Sequence, residues 1–553
     1  MLVSLAAWVY MLVNCYIFGL SFVRLVTLKK PYICKHECSY IIAGICVLTV
    51  YAQIFSLFAG VGLWANIIML AATILLTFFN RKTLIEKLRG FSFKAHPVRN
   101  IAVILIVLIM AYGTSHGFMH VDSDLYHAQS IRWIEEYGCV KGLGNIHLRL
   151  AYNSASFCLS ALFSMSFLGG QSLHVCAGFL AMIVAVLSTG LFRRGEFLSP
   201  RLSDFARIAA IYYLVNIFDE MVSPASDYFM VLLVLADVIL FLELLEDGTK
   251  EPEGYALLSL LAVIVVSVKI SGALIILLAV YPAVLLVRKK RIGSLFKYLG
   301  LGTASLIPFF ARNVILSGYL VYPVAQIDIF DSDYKIPYDY AIYDAREIQA
   351  YGRGHADVTR FKEGISGWIG DWFATLDSID KVAFILALSG LLILLFSVIV
   401  GLCRKTIKKQ PELLVMGTVS ACFVFWTVTS PLIRYGCVFL YLTALLNWGF
   451  LYGNTLARVD KYILYRVAVL MLLSYKAVAL AKESVKWHNN DYLVHQQDYG
   501  EYELDEIVVD GETFYYPKTG GLTGYSHFPS IPSDSINFCL KGDSLKDGFK
   551  TLE

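Results

Sequence analysis

The sequence predicts an all-α polytopic membrane protein of about 14 transmembrane helices, with interfacial helices in its first large outside loop and a short, β-rich C-terminal tail. Three observations predict it. Hydrophobic residues make up 58% of 553 and charged residues 16%, where a soluble chain carries about 25% charge; mean hydropathy is +0.64. The apolar residues come in blocks of about 20, the length that crosses a hydrocarbon core. The Lys/Arg clusters between blocks fall on one side, as cytoplasmic loops do.

The blocks read as spans over 2–27, 39–60, 62–80, 98–116, 171–192, 205–218, 226–245, 255–268, 272–288, 298–317, 381–402, 411–430, 436–453 and 463–481. Two of them, 205–218 and 255–268, are short for a full crossing. The dense basic loops are "RKTLIEKLRGFSFKAHPVR" (81–99), "RRGEFLSPR" (193–201), "RKKR" (288–291) and "RKTIKKQ" (404–410). With 14 spans all four share a face with "RLVTLKK" (24–30) and the 454–466 loop, which makes that face cytoplasmic. Both chain ends and three long segments, 117–170, 318–380 and 482–553, then lie outside. No cleavable signal peptide is evident in 1–27, because the positive charge follows the apolar run.

The chain divides into three parts: N-terminal spans (1–97), a region holding the patterned charges (98–481), and a polar outside tail (482–553). In the tail, "EIVVDGETFYYP" reads as a hairpin turning at Asp510-Gly511, and "SLKDGF" as a second turn. No internal repeat is visible; one span pair is broken, at Lys269. The eleven cysteines form no CxxC pair. Cys34 and Cys38 flank His36 without the fourth ligand that zinc requires. Cys139 and Cys539 are both outside, which leaves a disulfide open. The net charge of +3 says little by itself; no nucleic-acid partner is expected.

The chemistry-bearing residues gather where spans meet the outside. "HGFMHVDSDLYHAQSIRWIEEYG" (116–138) leaves a span with Asp122, Asp124 and His116, His120 and His127. Tyr126, Ser130, Trp133 and Tyr137 recur at helical spacing, so its second half reads as an interfacial helix with aromatics at headgroup level. Gly138 ends it. Asp124 has the position of a helix N-cap; Asp122 precedes any cap position. The histidines and carboxylates are all metal-ligand types. Metal ligands are not assigned, and a divalent metal at the acidic loops is the one cofactor the pattern leaves open.

Further on, "KGLGNIHLRLAYNSASFCLSALFSMSFLGG" (141–170) brings Arg149 and Asn153, then an apolar helix too short to cross, suited to lining a cavity. "FDEMVSPASDYF" (218–229) places Asp219, Glu220 and Asp227 in a tight outside loop, with capping as the plain alternative for Asp227. Lys269 in "VSVKISG", Arg312 in "ARNVILSGYLVYP" and Arg434-Tyr435 after "SPLI" fall on the same face. Such cations are costly in a membrane and usually paired or functional, or they snorkel to headgroups. Carboxylates beside fixed cations suit transfer from a lipid phosphate: a carboxylate takes the acceptor's proton and cations stabilise the departing phosphate.

The order Asp122, Tyr126, an interfacial helix ending in Gly, a second short helix, Asp227, Lys269 and Arg434-Tyr435 resembles the GT-C superfamily of integral-membrane glycosyltransferases, over roughly 98–481. "DSDLYHAQSIRWIEEYG", "RLAYNS" and "YSHFPSIPSD…LKGDSLKDGF" also resemble an uncharacterised bacterial family of multi-pass proteins related to it. The resemblance implies an inverting transferase in the bacterial cytoplasmic membrane, acting outside. Its donor is a polyprenyl-phosphate sugar and its acceptor a glycan or lipid-linked molecule. It implies Asp122 as base with Asp124 and Asp227 as further catalytic carboxylates, and Tyr126, His127, Arg149, Asn153, Lys269, Arg312, Arg434 and Tyr435 on substrate. Three spans precede the first-loop Asp here where many members have one, and a short tail replaces a long C-terminal domain. Other readings are a transporter or flippase of lipid-linked glycans, a polymerase or ligase, or a non-catalytic subunit of a glycan-assembly complex. A transporter needs charges along a through-path, whereas these gather on one face.

Overall fold

The computed structural model describes residues 1–90, 94, 96–192, 200–455, 469–471, 473–474, 477–478, 481–482 and 491–552. It opens with four long helices, α1 (Leu2–Val26), α2 (Glu37–Ser56), α3 (Leu63–Gly90) and α4 (Pro97–Ser115). α1 and α2 cross in close contact because glycines face the crossing. A Cβ on Gly44 would lie 1.7 Å from the Cys15 carbonyl oxygen, and one on Gly19 1.8 Å from that of Tyr40. Small residues allow such an approach where dispersion, rather than the hydrophobic effect, joins helices.

After α4 come a π turn over Ser123–His127, α5 (Ala128–Glu136) and α6 (Ala155–Phe163). Then follow α7 (Cys176–Ser188), α8 (Leu202–Asn216), α9 (Ser226–Glu246) and α10 (Pro252–Val268). The chain breaks at Lys269, continues as a 3₁₀ segment (Ile270–Ala279) into α11 (Val280–Arg288), and returns as α12 (Ile292–Ser317). Two amphipathic helices, α13 (Tyr338–Gly352) and α14 (Ile365–Thr375), fill the next long connection. α15 (Ser378–Cys403), α16 (Glu412–Thr429) and α17 (Ile433–Thr455) complete the bundle.

The protein is therefore a multi-pass helical membrane protein. Ten helices among the described residues are long and apolar enough to cross: α1 to α4, α9, Ile270–Arg288, α12, α15, α16 and Ile433–Gly453. Three of the expected spans are shorter. α7, α8 and α10 have 13, 15 and 17 residues, and a 13-residue helix reaches only about 20 Å. Most of the expected span 463–481 and of the basic loops 193–201 and 454–466 lies outside the described residues. α9 is the centre of the bundle: every residue from Asp227 to Glu243 is buried.

Charged side chains gather at two ends of the bundle. One face gathers the ends of α2, α4, α10 and α12 with the starts of α9 and α17. The opposite face has its own ion pairs, Lys35 with Asp247 at 2.5 Å, His36 with Glu243 at 2.6 Å, Arg207 with Glu243 and Arg291 with Glu253.

The tail folds as two hairpins. β1 (Leu504–Val509) pairs antiparallel with β2 (Glu512–Pro517), with Val509 opposite Glu512. Asp510 and Gly511 both take positive φ, 51° and 89°, the conformation of a type I′ turn, which is why Asp-Gly stands there. β3 (Phe538–Leu540) pairs with β4 (Phe549–Thr551) across the turn containing Leu545–Asp547.

The tail is docked, and this corrects the expectation of an interfacial α5. Trp133 is fully buried and packs against Phe528 and Phe549, at 4.7 and 5.8 Å between ring centroids. The Gln129 amide donates to the Gly524 and His527 carbonyls at 3.0 and 2.8 Å and accepts from the Ser530 N–H at 3.2 Å. Arg132 donates to the Tyr525 and Ser526 carbonyls and sits over the Tyr525 and Phe528 rings. The aromatic stripe of α5 meets protein, so its periodicity marks a packing face. α6 is likewise wholly buried. Cys139 and Cys539 are free thiols.

Candidate functional site

The candidate site forms where four connections meet on the tail-bearing face. After α4 the chain turns extended at His116 and reaches Asp122, which precedes the π turn. An inserted residue of this kind recurs at functional sites because it re-aims neighbouring side chains. Asp227 enters on the first turn of α9, Lys269 from the extended break between α10 and the 3₁₀ segment, and Arg434 from the first turn of α17. α17 kinks at Gly436, where a Cβ would lie 2.4 Å from the Trp426 ring. That close approach holds Arg434 and Tyr435 over the ends of α9 and α10.

Arg434 is the hub. Its Nη2 donates to Asp122 Oδ2 at 2.7 Å, its Nε lies 3.2 Å from Asp227 Oδ2, and its Nη1 faces His120 Nδ1 at 2.8 Å. Lys269 pairs with the other oxygen of Asp227 and stands 4.0 Å above the Tyr435 ring. Arg149, on the 3₁₀ turn Leu148–Ala151, approaches Asp122 Oδ1 at 3.9 Å. Three cations thus face two carboxylates, an excess of one positive charge. The cluster is partly open: Asp227 is 5% exposed, but Asp122, Arg434 and Lys269 are 17–21% and Arg149 34% exposed.

Burial pushes the Asp122 carboxyl up, but the Arg434 guanidinium outweighs it and holds it below its ordinary value of 3.8. Asp122 is therefore ionised at neutral pH. His120 is held below its ordinary value, first by burial and then by Arg434. Its neutral ring is an acceptor for the guanidinium. His127 is pushed down to about 3 by burial.

The remaining expected residues divide. Tyr126 is buried edge-on to Tyr152, whose hydroxyl donates to Asp344 Oδ1 at 2.7 Å. His127 packs on Phe157, 5.1 Å between centroids. Asn153 and Arg312 pair with each other at 3.0 Å, and Arg312 also donates to Ser56 at 2.5 Å. These two tie α12 to α2 and the first loop; they do not reach the Asp122 cluster.

Asp124 neither caps a helix nor joins the cluster. Its carboxylate accepts from the Gly500 N–H at 3.0 Å and the Tyr502 hydroxyl at 2.9 Å, and its carbonyl accepts from the Thr523 and Gly524 N–H groups. It latches the tail to the first loop. The three histidines also separate: His116 stacks on Tyr492 at 5.2 Å, His120 meets Arg434, and His127 is buried apart. Among the described residues, no three His, Cys, Asp or Glu side chains converge as a metal ion needs. Asp122 and Asp227 face cationic side chains, so this donor set does not fit a divalent metal.

Beside the cluster opens a cavity of about 370 Å³, lined by His147, Arg149, Tyr340, Asp344, Glu347 and Ser533 among others. Arg149 belongs to both. Sequence reasoning passed over Asp344 and Glu347, because α13 shows only an amphipathic pattern, and over the tail's share of the wall.

Fold and site together define a multi-pass membrane protein with a charged, partly buried cluster at one end of its bundle, capped by a β-rich tail. The chain belongs to the family of the domain of unknown function DUF8201, whose model matches residues 1–441. That match contains every residue of the charged cluster and ends within α17. No curated protein and no solved structure matches the chain.

Proposed function

We propose that the protein is an inverting membrane glycosyltransferase of GT-C type, moving a sugar from a polyprenyl-phosphate donor to an acceptor of the cell envelope. In this reading the chain has 14 spans, sits in a bacterial cytoplasmic membrane, and carries its cluster and tail outside the cytoplasm. The basic loops on the opposite face support that orientation. One observation carries the proposal: Arg434 bridges the first-loop Asp122 and the second-loop Asp227, with Lys269 alongside. Carboxylate and excess cation so stand together at the membrane end of the helices, where a lipid phosphate lies.

The acceptor hydroxyl oxygen attacks the anomeric carbon, the bond from that carbon to the phosphate oxygen breaks, and polyprenyl phosphate leaves. The hydroxyl proton passes to Asp122, whose depressed pKa keeps it in the ionised form that can accept it. Arg434, Lys269 and Arg149 stabilise the charge gathering on the departing phosphate. The cavity beyond Arg149 has the volume of a small-ligand site and holds the acceptor. Asp124 and Asn153–Arg312 position the loop that carries Asp122.

The test is turnover in reconstituted vesicles with a panel of radiolabelled polyprenyl-phosphate monosaccharides and cell-envelope acceptors, read as release of polyprenyl phosphate. Loss of a general base costs about 10²–10⁴-fold, and that loss is expected of Asp122→Asn with tail docking intact. Undiminished turnover by that variant overturns the assignment.

A further inference from the structure

Between Asp227 and Glu243, α9 carries one further carboxylic acid, Asp237. It is fully buried, and among the described residues neither carboxyl oxygen has a hydrogen-bond partner. By helical rise it lies about 15 Å along α9 from Asp227 and about 9 Å from Glu243. It therefore belongs neither to the Asp122 cluster nor to the ion pairs of the opposite face. Its neighbours on the helix, Leu233, Val234, Val238 and Phe241, are apolar and buried.

An ionised carboxylate in that setting is costly, and ionisable residues inside membranes mark proton or ion pathways. The surroundings decide between the two. A bound calcium or magnesium ion requires several further oxygen ligands, and these neighbours supply none. A proton needs no ligand beyond the carboxyl itself, and it removes the charge.

A crevice opens towards Asp237. From the opposite face a crevice of about 70 Å³ runs between α1, α2, α9 and α10, lined by His36, Ala43, Cys46, Leu240 and Glu243 among others. About 10–15 Å³ of such space suffices for one water, so the crevice has room for water. Leu240 and Leu244 follow Asp237 by three and seven residues and share its helix face. The crevice thus ends one helical turn from the carboxyl, beside Cys46.

We propose that Asp237 is a proton-binding site inside the membrane, loaded by water entering the opposite-face crevice past His36 and Glu243. This stands apart from the glycosyltransferase reading and survives its failure.

The test uses the full-length protein in nanodiscs with dicyclohexylcarbodiimide, which modifies protonated acids in apolar surroundings. The carboxyl oxygen bonds to the central carbon of the carbodiimide and the carboxyl proton moves to one of its nitrogens; the adduct then rearranges to a stable N-acylurea. Peptide mass spectrometry is expected to find one adduct on Asp237, lost in Asp237→Asn and kept in Asp237→Glu. Infrared spectroscopy tests the route, since the reagent can also arrive through lipid. The protonated-acid carbonyl band, absent in Asp237→Asn, is expected to shift in D₂O, and Ala43→Phe, which fills the crevice, is expected to slow that shift severalfold. An unmodified Asp237, or a carbonyl band that ignores D₂O, overturns the proposal. Unchanged exchange in Ala43→Phe overturns the route.

Discussion

Replacing Arg434 by Gln removes the one group that contacts Asp122, Asp227 and His120 together. At an effective dielectric of about 20, unit charges about 4 Å apart attract by about 4 kcal/mol, and deleting one partner of a buried pair costs about 3–5 kcal/mol. Asp122 retains His120 and Arg149, both at 3.9 Å and beyond hydrogen-bond reach. Its 17% exposure reduces the penalty, so the coupling between Arg434→Gln and Asp122→Asn is expected at about 2–3 kcal/mol. Asp227 keeps Lys269, so its coupling to Arg434 is expected at about 1 kcal/mol. Both are read from a double-mutant cycle of reversible unfolding in mixed micelles at neutral pH. The sign of the pH dependence follows from the native pKa of Asp122, which lies below its ordinary 3.8. The stabilisation is full above 3.8 and fades as pH falls through the lower native value. Single-mutant effects that add within about 0.5 kcal/mol would refute the ion-paired hub.

Two further perturbations separate the tail from the site. Asp124→Ala leaves the half-buried Gly500 N–H and Tyr502 hydroxyl without their acceptor, and each lost hydrogen bond to the carboxylate costs about 1 kcal/mol. Hydrogen exchange in 499–530 is expected to rise at least tenfold; unchanged protection sinks the latch. Because His127 stays neutral down to about 3 against an ordinary 6.5, the unfolded chain takes up a proton on it that the folded chain refuses. Stability is then expected to fall as pH drops from about 6.5 towards 3, and His127→Gln is expected to flatten that slope; an identical pH profile in the variant refutes the buried neutral ring.

Much of this was legible because it is local or set by parity. The apolar runs mark the long helices, Gly138 ends α5 at a φ of +81°, and Asp510-Gly511 makes its turn. The expectation that Asp122, Asp227, Lys269 and Arg434 share one face agrees with their meeting in one cluster. What was not legible depends on contacts between distant segments. The helical spacing of Tyr126, Ser130, Trp133 and Tyr137 marks a face, but not whether lipid or protein covers it. The partner of Asp124 lies 376 residues on, at Gly500. Arg312 and Asn153 share a face with the cluster yet satisfy each other, because a buried cation takes the nearest acceptor. Asp237 was overlooked although its signal is plain: a single acid in the middle of an apolar helix.

The docking of the tail on α5 also has a temporal side. Gln129 waits for Gly524, 395 residues later, and at about 5–20 residues per second synthesis takes roughly 20–80 s to cover that distance. Throughout that interval Trp133 and Glu135 lack the cover that the finished chain gives them. The newborn first loop therefore needs shelter, from lipid or from the insertion machinery, until the last hairpin emerges. A chain truncated before residue 524 keeps all ten long helices and still lacks the lid over its first loop, a form that cellular quality control would meet as membrane-inserted but unfinished.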